Sequence, residues 1–238
     1  MKVKCKYTFS SIDHMHCDNL CTALYAYLYA KHNYETFIFQ IDDINQQHNK
    51  DTIKVINSIF NKLGLISNEK PEQDSISVPY IQSQHKDIYI KYALQLVNKD
   101  KAYVCKCSKE LDHEHKYCSC RDKYYSYSNG DVIKQKLYNT VGITTFNDYL
   151  RGIINFTDDL FEDQILIKSN ELPTYNFAHV IDDHLMQITH IFREEEFLSS
   201  SPKYVRLYGT FGRTVPILIH LPKINSKNED GIASKLNK

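Results

Sequence analysis

The stretch "KYTFSSIDHMHCDNLCTALYAYLYAKHNYETFIFQIDD", residues 6–43, decides how the rest of the chain is read. Residues 3–9 alternate weakly, with Val3, Cys5, Tyr7 and Phe9 on one side, and end in a serine pair, which reads as a first strand. From Leu20 to about His32 the apolar positions Ala23, Leu24, Tyr27, Leu28 and Ala30 follow a helical period. "TFIFQI", 36–41, is rich in β-formers and stops at the acidic pair Asp42–Asp43. Strand, turn, helix and strand in this order form a βαβ unit, whose two strands should lie parallel in one sheet. A ligand in such a sheet sits at the carboxyl ends of the strands. The turns at 10–19 and 42–45 fall there.

The first of those turns holds His14, His16, Cys17 and Asp18. The residue types alone allow a metal site, a Cys17–His16 nucleophile pair or a nucleotide-binding turn. Adjacent residues rarely aim two groups at one point, and histidine pairs in loops are mostly solvated. The plainest reading is a polar turn with Asp18 or Asn19 capping the helix.

The remaining chain supplies context. Its 238 residues suffice for one large α/β domain or a domain with an insertion. With only 7 Gly and 6 Pro, tight turns should fall to Asn, Asp and Ser. Zero formal charge withholds a global basic field that would attract nucleic acid. No stretch of 18 apolar residues occurs, and "MKVKCKYTF" lacks an apolar signal core, so the expectation is a soluble, cytoplasmic protein without membrane contact.

Periodicity predicts a second helix over 48–64, with Ile53, Ile56, Ile59, Phe60 and Leu63 inward, then a polar loop over 65–80. A third helix at about 82–99 leads into a strand at "KAYVCKC", followed by a polar stretch, 108–131, read as an inserted subdomain. A strand at 132–137, "DQILIKS" as a strand, "TYNFAHVIDDHLM" as a helix and "ITHIFR" as a strand complete a split nucleotide-binding fold. Seven cysteines include Cys105, Cys107, Cys118 and Cys120, a C-x-C…C-x-C pattern with ten residues between. Four thiolates so spaced suit a tetrahedral Zn²⁺ that pins the inserted lobe; the bland alternative is buried or oxidisable thiols.

Several blocks together carry a resemblance. The opening stretch is similar to Arg-Phe-Ala-Pro-Ser-Pro-Thr-Gly, a HIGH-type signature, Arg-Thr-Ala-Leu and Arg-Ile-Glu-Asp-Thr-Asp, with Lys6 for the Arg, Ser10 matching and His16 as the signature's first His. Thr22, Ala23 and Leu24 match in the helix, and Asp42–Asp43 stand for the Glu-Asp pair. "YIQSQHKDIYIKYALQLVNKDKAYVCKC" resembles a Tyr-x-Gln-Ser-x-Arg helix and an Ala-Tyr-x-Cys-x-Cys strand; "TTFNDYLRGIINF" is closer still. "LIKSNELPTYNFAHVIDDHLM" and "FREEEFLSSSPK" resemble Leu-Lys-Ser-Asp-Gly-Leu-Pro-Thr-Tyr-His/Asn-Phe-Ala, Val-Asp-Asp-His-Leu-Met and Arg-Gly-Glu-Glu-Trp-Leu-Ser-Ser-Thr-Pro-Lys. These are blocks of class I glutamyl-tRNA synthetases, and the likeness runs from residue 2 to the end of the chain.

The resemblance implies a Rossmann-like parallel sheet split by an acceptor-binding lobe. Residues 1–100 and 151–238 would form its two halves, and 101–150 the zinc-bearing lobe. It implies ATP with Mg²⁺, L-glutamate and tRNA(Glu), with tRNA(Gln) as a further acceptor, in a monomer. His16, Asp18, Asn19, Ser234 and Lys235 would meet ATP, His16 and Lys235 as the catalytic pair. Lys6, Ser10, Asp42, Tyr175, His179 and Arg193 would hold glutamate, Arg193 by a bidentate grip on a carboxylate.

Departures are visible. Asp18 stands where the signature has a Gly that lets adenine approach the backbone. "EDGIASKLNK" supplies Asp230, Gly231, Ser234 and Lys235, but the first Lys of the Lys-Leu/Met-Ser-Lys-Arg loop is missing and the spacing is one residue short. The family's zinc ligands vary, which makes His113, His115 and Tyr117 local substitutes. The chain ends three residues after Lys235, implying a fragment or a form without anticodon-binding domain. Alternative expectations are the short paralogue that glutamylates the queuosine base of a tRNA, and a non-catalytic synthetase remnant that binds RNA or a partner.

Overall fold

The computed structural model describes residues 2–9, 17–44, 58–65, 81–107, 118–137, 142–157 and 163–223. Strand β1 (Lys4–Phe9), helix α1 (Cys17–His32) and strand β2 (Thr36–Ile41) form the expected βαβ unit, with β1 and β2 parallel in register from Lys4↔Thr36 to Phe9↔Ile41. Helix α2 (Lys86–Asn98) follows a 3-10 turn at Gln82–His85. Then come β3 (Ala102–Cys105), β4 (Val132–Gln135), β5 (Ile143–Asp148), β6 (Gly152–Thr157), β7 (Ile165–Ile167), α3 (Tyr175–Leu185), β8 (His190–Glu194), α4 (Ser201–Phe211) and β9 (Ile217–Leu221).

The large sheet runs β2-β1-β8-β9-β5-β6, parallel except for the β5–β6 hairpin at one edge. The chain leaves β1 towards β2 on one side and returns much later to β8 on the other. The boundary between β1 and β8 is therefore the sheet's topological switch point. The small antiparallel sheet, β3-β4-β7, is built from strands that alternate along the sequence with those of the large one. The sequence-derived boundary at 150/151 lies in the turn of the β5–β6 hairpin, and both of its strands belong to the large sheet.

Helix α1 packs differently from its apolar pattern. Its buried face is Thr22, Ala23, Ala26 and Ala30, while Leu24 and Leu28, read as inward, are 42% and 51% exposed. Alanines let the helix lie close on Cys5, Tyr7, Phe9, Phe37 and Phe39, where leucines would hold it away. Helical residues 58–62 cover the same face with Phe60, whose ring sits 4.5 Å from that of Phe39; Ile53 and Ile56 lie outside the described residues. The opposite face carries α2, α3 and α4, and one core joins Ile38, Ile191 and Leu218 of the large sheet to Ala102, Ile133, Leu166 and Ile167 of the small one. Turns use fewer special residues than glycine scarcity suggested. Tyr34, Asp100, Glu171 and Gln187 adopt positive φ, and only Asp100 is of the expected Asn, Asp or Ser type.

Candidate functional site

Alternation along β8 sorts the chemistry onto two sides of the sheet. Phe192 packs with the α1 side and Glu194 follows it, whereas Ile191 packs with the α3–α4 side and Arg193 follows it. On the α1 side, a cleft of about 720 Å³ opens at the carboxyl ends of β8 and β9. Asp18 and Asn19 line it from the first turn of α1, Tyr25 and Tyr29 from the helix flank, and Tyr149 and Leu150 from the β5–β6 turn. Cys17 is already helical, so Asp18 and Asn19 lie inside the helix rather than at its cap. Asn19 Nδ2 donates to Glu194 Oε1 at 3.2 Å across the cleft. An aromatic-walled cleft at a helix N-terminus, beside the switch point, can hold a nucleotide.

On the other side, Lys6, Tyr175, His179, Asp183 and Arg193 gather between β1, β8 and α3. Lys6 Nζ is 2.5 Å from Asp183 Oδ1 and 3.5 Å from His179 Nδ1, and both members of the ion pair are buried. Tyr204 on α4 donates its hydroxyl to the other carboxylate oxygen of Asp183. The Arg193 guanidinium lies 4.7 Å above the Tyr204 ring and 5.9 Å from that of Phe197. Its Nε and Nη1, and His179 Nε2, are buried without a hydrogen-bond partner among the described residues. Burial, then the cations Lys6 and Arg193, hold His179 well below the usual histidine range, so it stays neutral. The Tyr175 ring lies 4.2 Å from that of His179, tilted at 46°, and burial pushes its phenol up to about 12. Buried donors on a cation without an acceptor ask for a carboxylate.

A second buried carboxylate holds the scaffold. Asp182 accepts from Gln40 and Gln82 at 2.7 Å each and from Tyr89 at 2.8 Å, tying α3 to β2 and α2. Burial raises its pKa to about 7 even so. Seven consecutive residues of α3, Phe177 to Asp183, are buried, so over these two turns the helix has no solvent face on which to place the charges. Two adjacent carboxylates in such a helix must each find donors; that was the sequence signal for Asp182 and Asp183 as scaffold residues.

Asp148, His220 and Ser201 line up as an Asp–His–Ser chain, with His220 Nδ1 2.7 Å from Asp148 Oδ2 and Nε2 2.9 Å from Ser201 Oγ. All three are essentially inaccessible, so this is a pin between β5, β9 and the start of α4 rather than a nucleophile. Burial lowers His220 to about 4 against the opposing pull of Asp148. The unfolded chain takes up this proton near pH 6.5 while the folded chain refuses it until about pH 4. Stability present above pH 6.5 should therefore fall by up to about 3 kcal/mol over that window. Melting midpoints against pH, with a shallower slope in His220→Gln, would check it; equal slopes would refute it.

The four cysteines come together. Their Sγ atoms all lie within 4.8 Å of one another, with Cys118 at 3.3 Å from Cys105 and 3.4 Å from Cys107, and Cys107 at 3.5 Å from Cys120. Tetrahedral thiolates about 2.3 Å from a zinc ion would be about 3.8 Å apart, so the donor set fits. Burial pushes the Cys105 and Cys118 thiols up, and the bond from Cys118 lowers Cys107.

A family model described as tRNA synthetases class I (E and Q), catalytic domain, matches residues 2–236. The chain belongs to this family. The synthetase domain is 42% identical to a glutamate–tRNA ligase of Clostridium kluyveri over 94% of this chain and 50% of that protein. Against a Clostridium botulinum glutamate–tRNA ligase the identity is 43% over 99% of the chain and 52% of that protein. A glutamate tRNA ligase of Elizabethkingia meningosepticum, solved in complex with its amino acid, superposes with a TM-score of 0.82 at 30% identity, covering 96% of this chain and 52% of that one. The chain thus spans about half the length of the relatives it matches. The expected class I fold, α/β with a parallel sheet, is the one observed.

Among the residues expected to act, the synthetase domain brings buried Lys6, His179 and Arg193 together with half-buried Tyr175 in one cluster, and Asp18 and Asn19 to the cleft. Asp42, at the end of β2, is buried and accepts the Ile44 N–H at 3.1 Å. His16, Ser10, Ser234 and Lys235, with His113, His115 and Tyr117, lie outside the described residues. Sequence reasoning missed Asp183 as the partner of Lys6, and Glu194 as a cleft residue; the Gly-to-Glu departure after Arg193 was the available signal for the latter. Among the described residues no helix is long and apolar enough to cross a membrane.

Proposed function

We propose that this chain carries the glutamate-activating half of a glutamate–tRNA ligase, taking ATP, L-glutamate and tRNA(Glu), with tRNA(Gln) as a further acceptor to be tested. The observation that carries the reading is Arg193, a buried guanidinium whose Nε and Nη1 find no acceptor among the described residues, beside neutral His179. Arg193 would clamp the glutamate side-chain carboxylate, with Tyr175 and His179 shaping the pocket around it. Lys6 contributes through Asp183, fixing α3 against β1. The reacting α-carboxylate would meet the α-phosphate near the first turn of α1, where His16 and Lys235 stand on the motif register. Mg²⁺, arriving with the nucleotide, would neutralise phosphate charge. Catalysis of this kind is mostly positioning and charge stabilisation.

Cytoplasmic location and a monomeric state belong to the same proposal. The names of the relatives favour this ligase over the queuosine-modifying alternative. Asp18 in the first turn of α1 favours one second reading, a synthetase domain that binds RNA without catalysis.

The test is glutamate-dependent ATP–pyrophosphate exchange by the purified chain, with and without tRNA(Glu). Exchange supports the ligase reading; none in either condition, from folded protein, rejects it in favour of binding.

We assign a structural zinc to Cys105, Cys107, Cys118 and Cys120, where it would fasten β3 to the 118–120 turn. Elemental analysis should find one zinc per chain, lost in Cys118→Ser. Zinc at a thousand times its Kd should add about 4 kcal/mol of stability. A metal-free chain with the same melting midpoint as the zinc-loaded one would reject the site.

A further inference from the structure

The cleft beside α1 carries a charge pattern that its proposed ligand would not choose. Four carboxylates line it, Asp18, Glu194, Glu195 and Glu196, and the sole cationic lining residue among those described is Lys223. Glu195 is held by Arg151 at 2.7 Å. Glu194 has no such cation among the described residues; Asn19 of the first α1 turn donates to it instead. The N-terminal N–H groups of a 16-residue helix favour an anion. Here the chain presents its own carboxylates at that end, Asp18 within the first turn and Glu194 tethered to the next residue. In the motifs that this sequence resembles, both positions are glycine.

We propose that Glu194 sets the charge selectivity of the cleft, disfavouring a polyphosphate while leaving a neutral nucleoside untouched. The inference rests on the nucleotide reading of the cleft and deepens it. Glu194 is the better placed of the two carboxylates for this role. Asp18 also stabilises its own helix. Glu194 ends a strand at φ −71°, ψ 152°, extended backbone that any residue adopts, and among the described residues its carboxylate is held by the hydrogen bond from Asn19. A like charge several ångströms from a phosphate, in a half-open cleft, weakens binding by about three- to tenfold. The apolar and aromatic walls, Tyr25, Tyr29 and Phe192, are indifferent to that charge.

The experiment is calorimetric titration of the full 238-residue chain and of Glu194→Gln with two probes, adenosine and ATP in excess Mg²⁺. Gln keeps the shape and the acceptor for Asn19 and removes only the charge. Kd for ATP should fall about three- to tenfold in Glu194→Gln, while Kd for adenosine stays within about twofold. Unchanged ATP affinity, or an equal shift for both probes, overturns the inference and leaves the nucleotide reading standing. Failure of both probes to bind either protein overturns the nucleotide reading and the inference with it. Should Glu194→Gln melt well below the parent chain, Glu194→Gly replaces it, with the same ratio of ATP to adenosine affinity as the readout.

Discussion

Replacing Asp183 by Ala is expected to destabilise the fold by about 3–5 kcal/mol, measured by denaturant unfolding. The substitution leaves Lys6 charged, about 97% buried and without its counter-ion, and orphans the Tyr204 hydroxyl. A domain of this size has a net stability of about 5–15 kcal/mol, so the variant would approach the threshold of folding. The companion variant separates charge from volume. Lys6→Met on the Asp183→Ala background removes the unpaired cation, and should return at least about 2 kcal/mol. A loss below about 1 kcal/mol in the single variant, or no recovery in the double, would show that the pair is not buried as described.

Arg193→Ala should abolish glutamate-dependent exchange to within the assay's floor, a loss of roughly two to three orders of magnitude in kcat/KM for glutamate. The size follows from leaving a buried substrate carboxylate without its clamp. Arg193→Lys should recover little, because an ammonium cannot make the two parallel bonds and would not lie flat on Tyr204. KM for ATP should change far less, since Arg193 and the cleft lie on opposite sides of β8. Equal losses for both substrates, or a Lys variant near parental activity, would move glutamate recognition elsewhere.

The sequence was most legible where a period had one cause. β1 and β2 alternate or run apolar because both faces of the sheet are covered, and their limits fell close to the structural ones. The cysteine cluster was equally legible, since four thiols at short spacing leave few geometries. Helix α1 was less so: Leu24 and Leu28 read as core by hydropathy, yet close helix–sheet approach selected Ala23, Ala26 and Ala30. The β5–β6 hairpin hid for another reason. Its edge face exposes Ile143 and Ile153, so no polar–apolar alternation announced two strands. At the site, the motif resemblance pointed to Arg193 and His179, but the Lys6–Asp183 pair joins positions 177 residues apart in the chain. Only packing could reveal that the Lys6 charge was already engaged.

The place of β1 between β2 and β8 bears on how the chain is made. Cys5 and Lys6 pair with His190 and Ile191, so one flank of the central strand waits for residues that emerge about 150 positions after β2. At about 5–20 residues per second, the wait lasts roughly 7–30 s. Throughout that interval β1 is an open strand edge on a nascent chain, the kind of surface that recruits other chains. Lys4 and Lys6 put two charges on this strand, beside Cys5, Tyr7, Thr8 and Phe9. The lysine that demands a buried partner in the finished protein is, during synthesis, one of two charges on that open edge, and charges on an edge disfavour pairing with other chains.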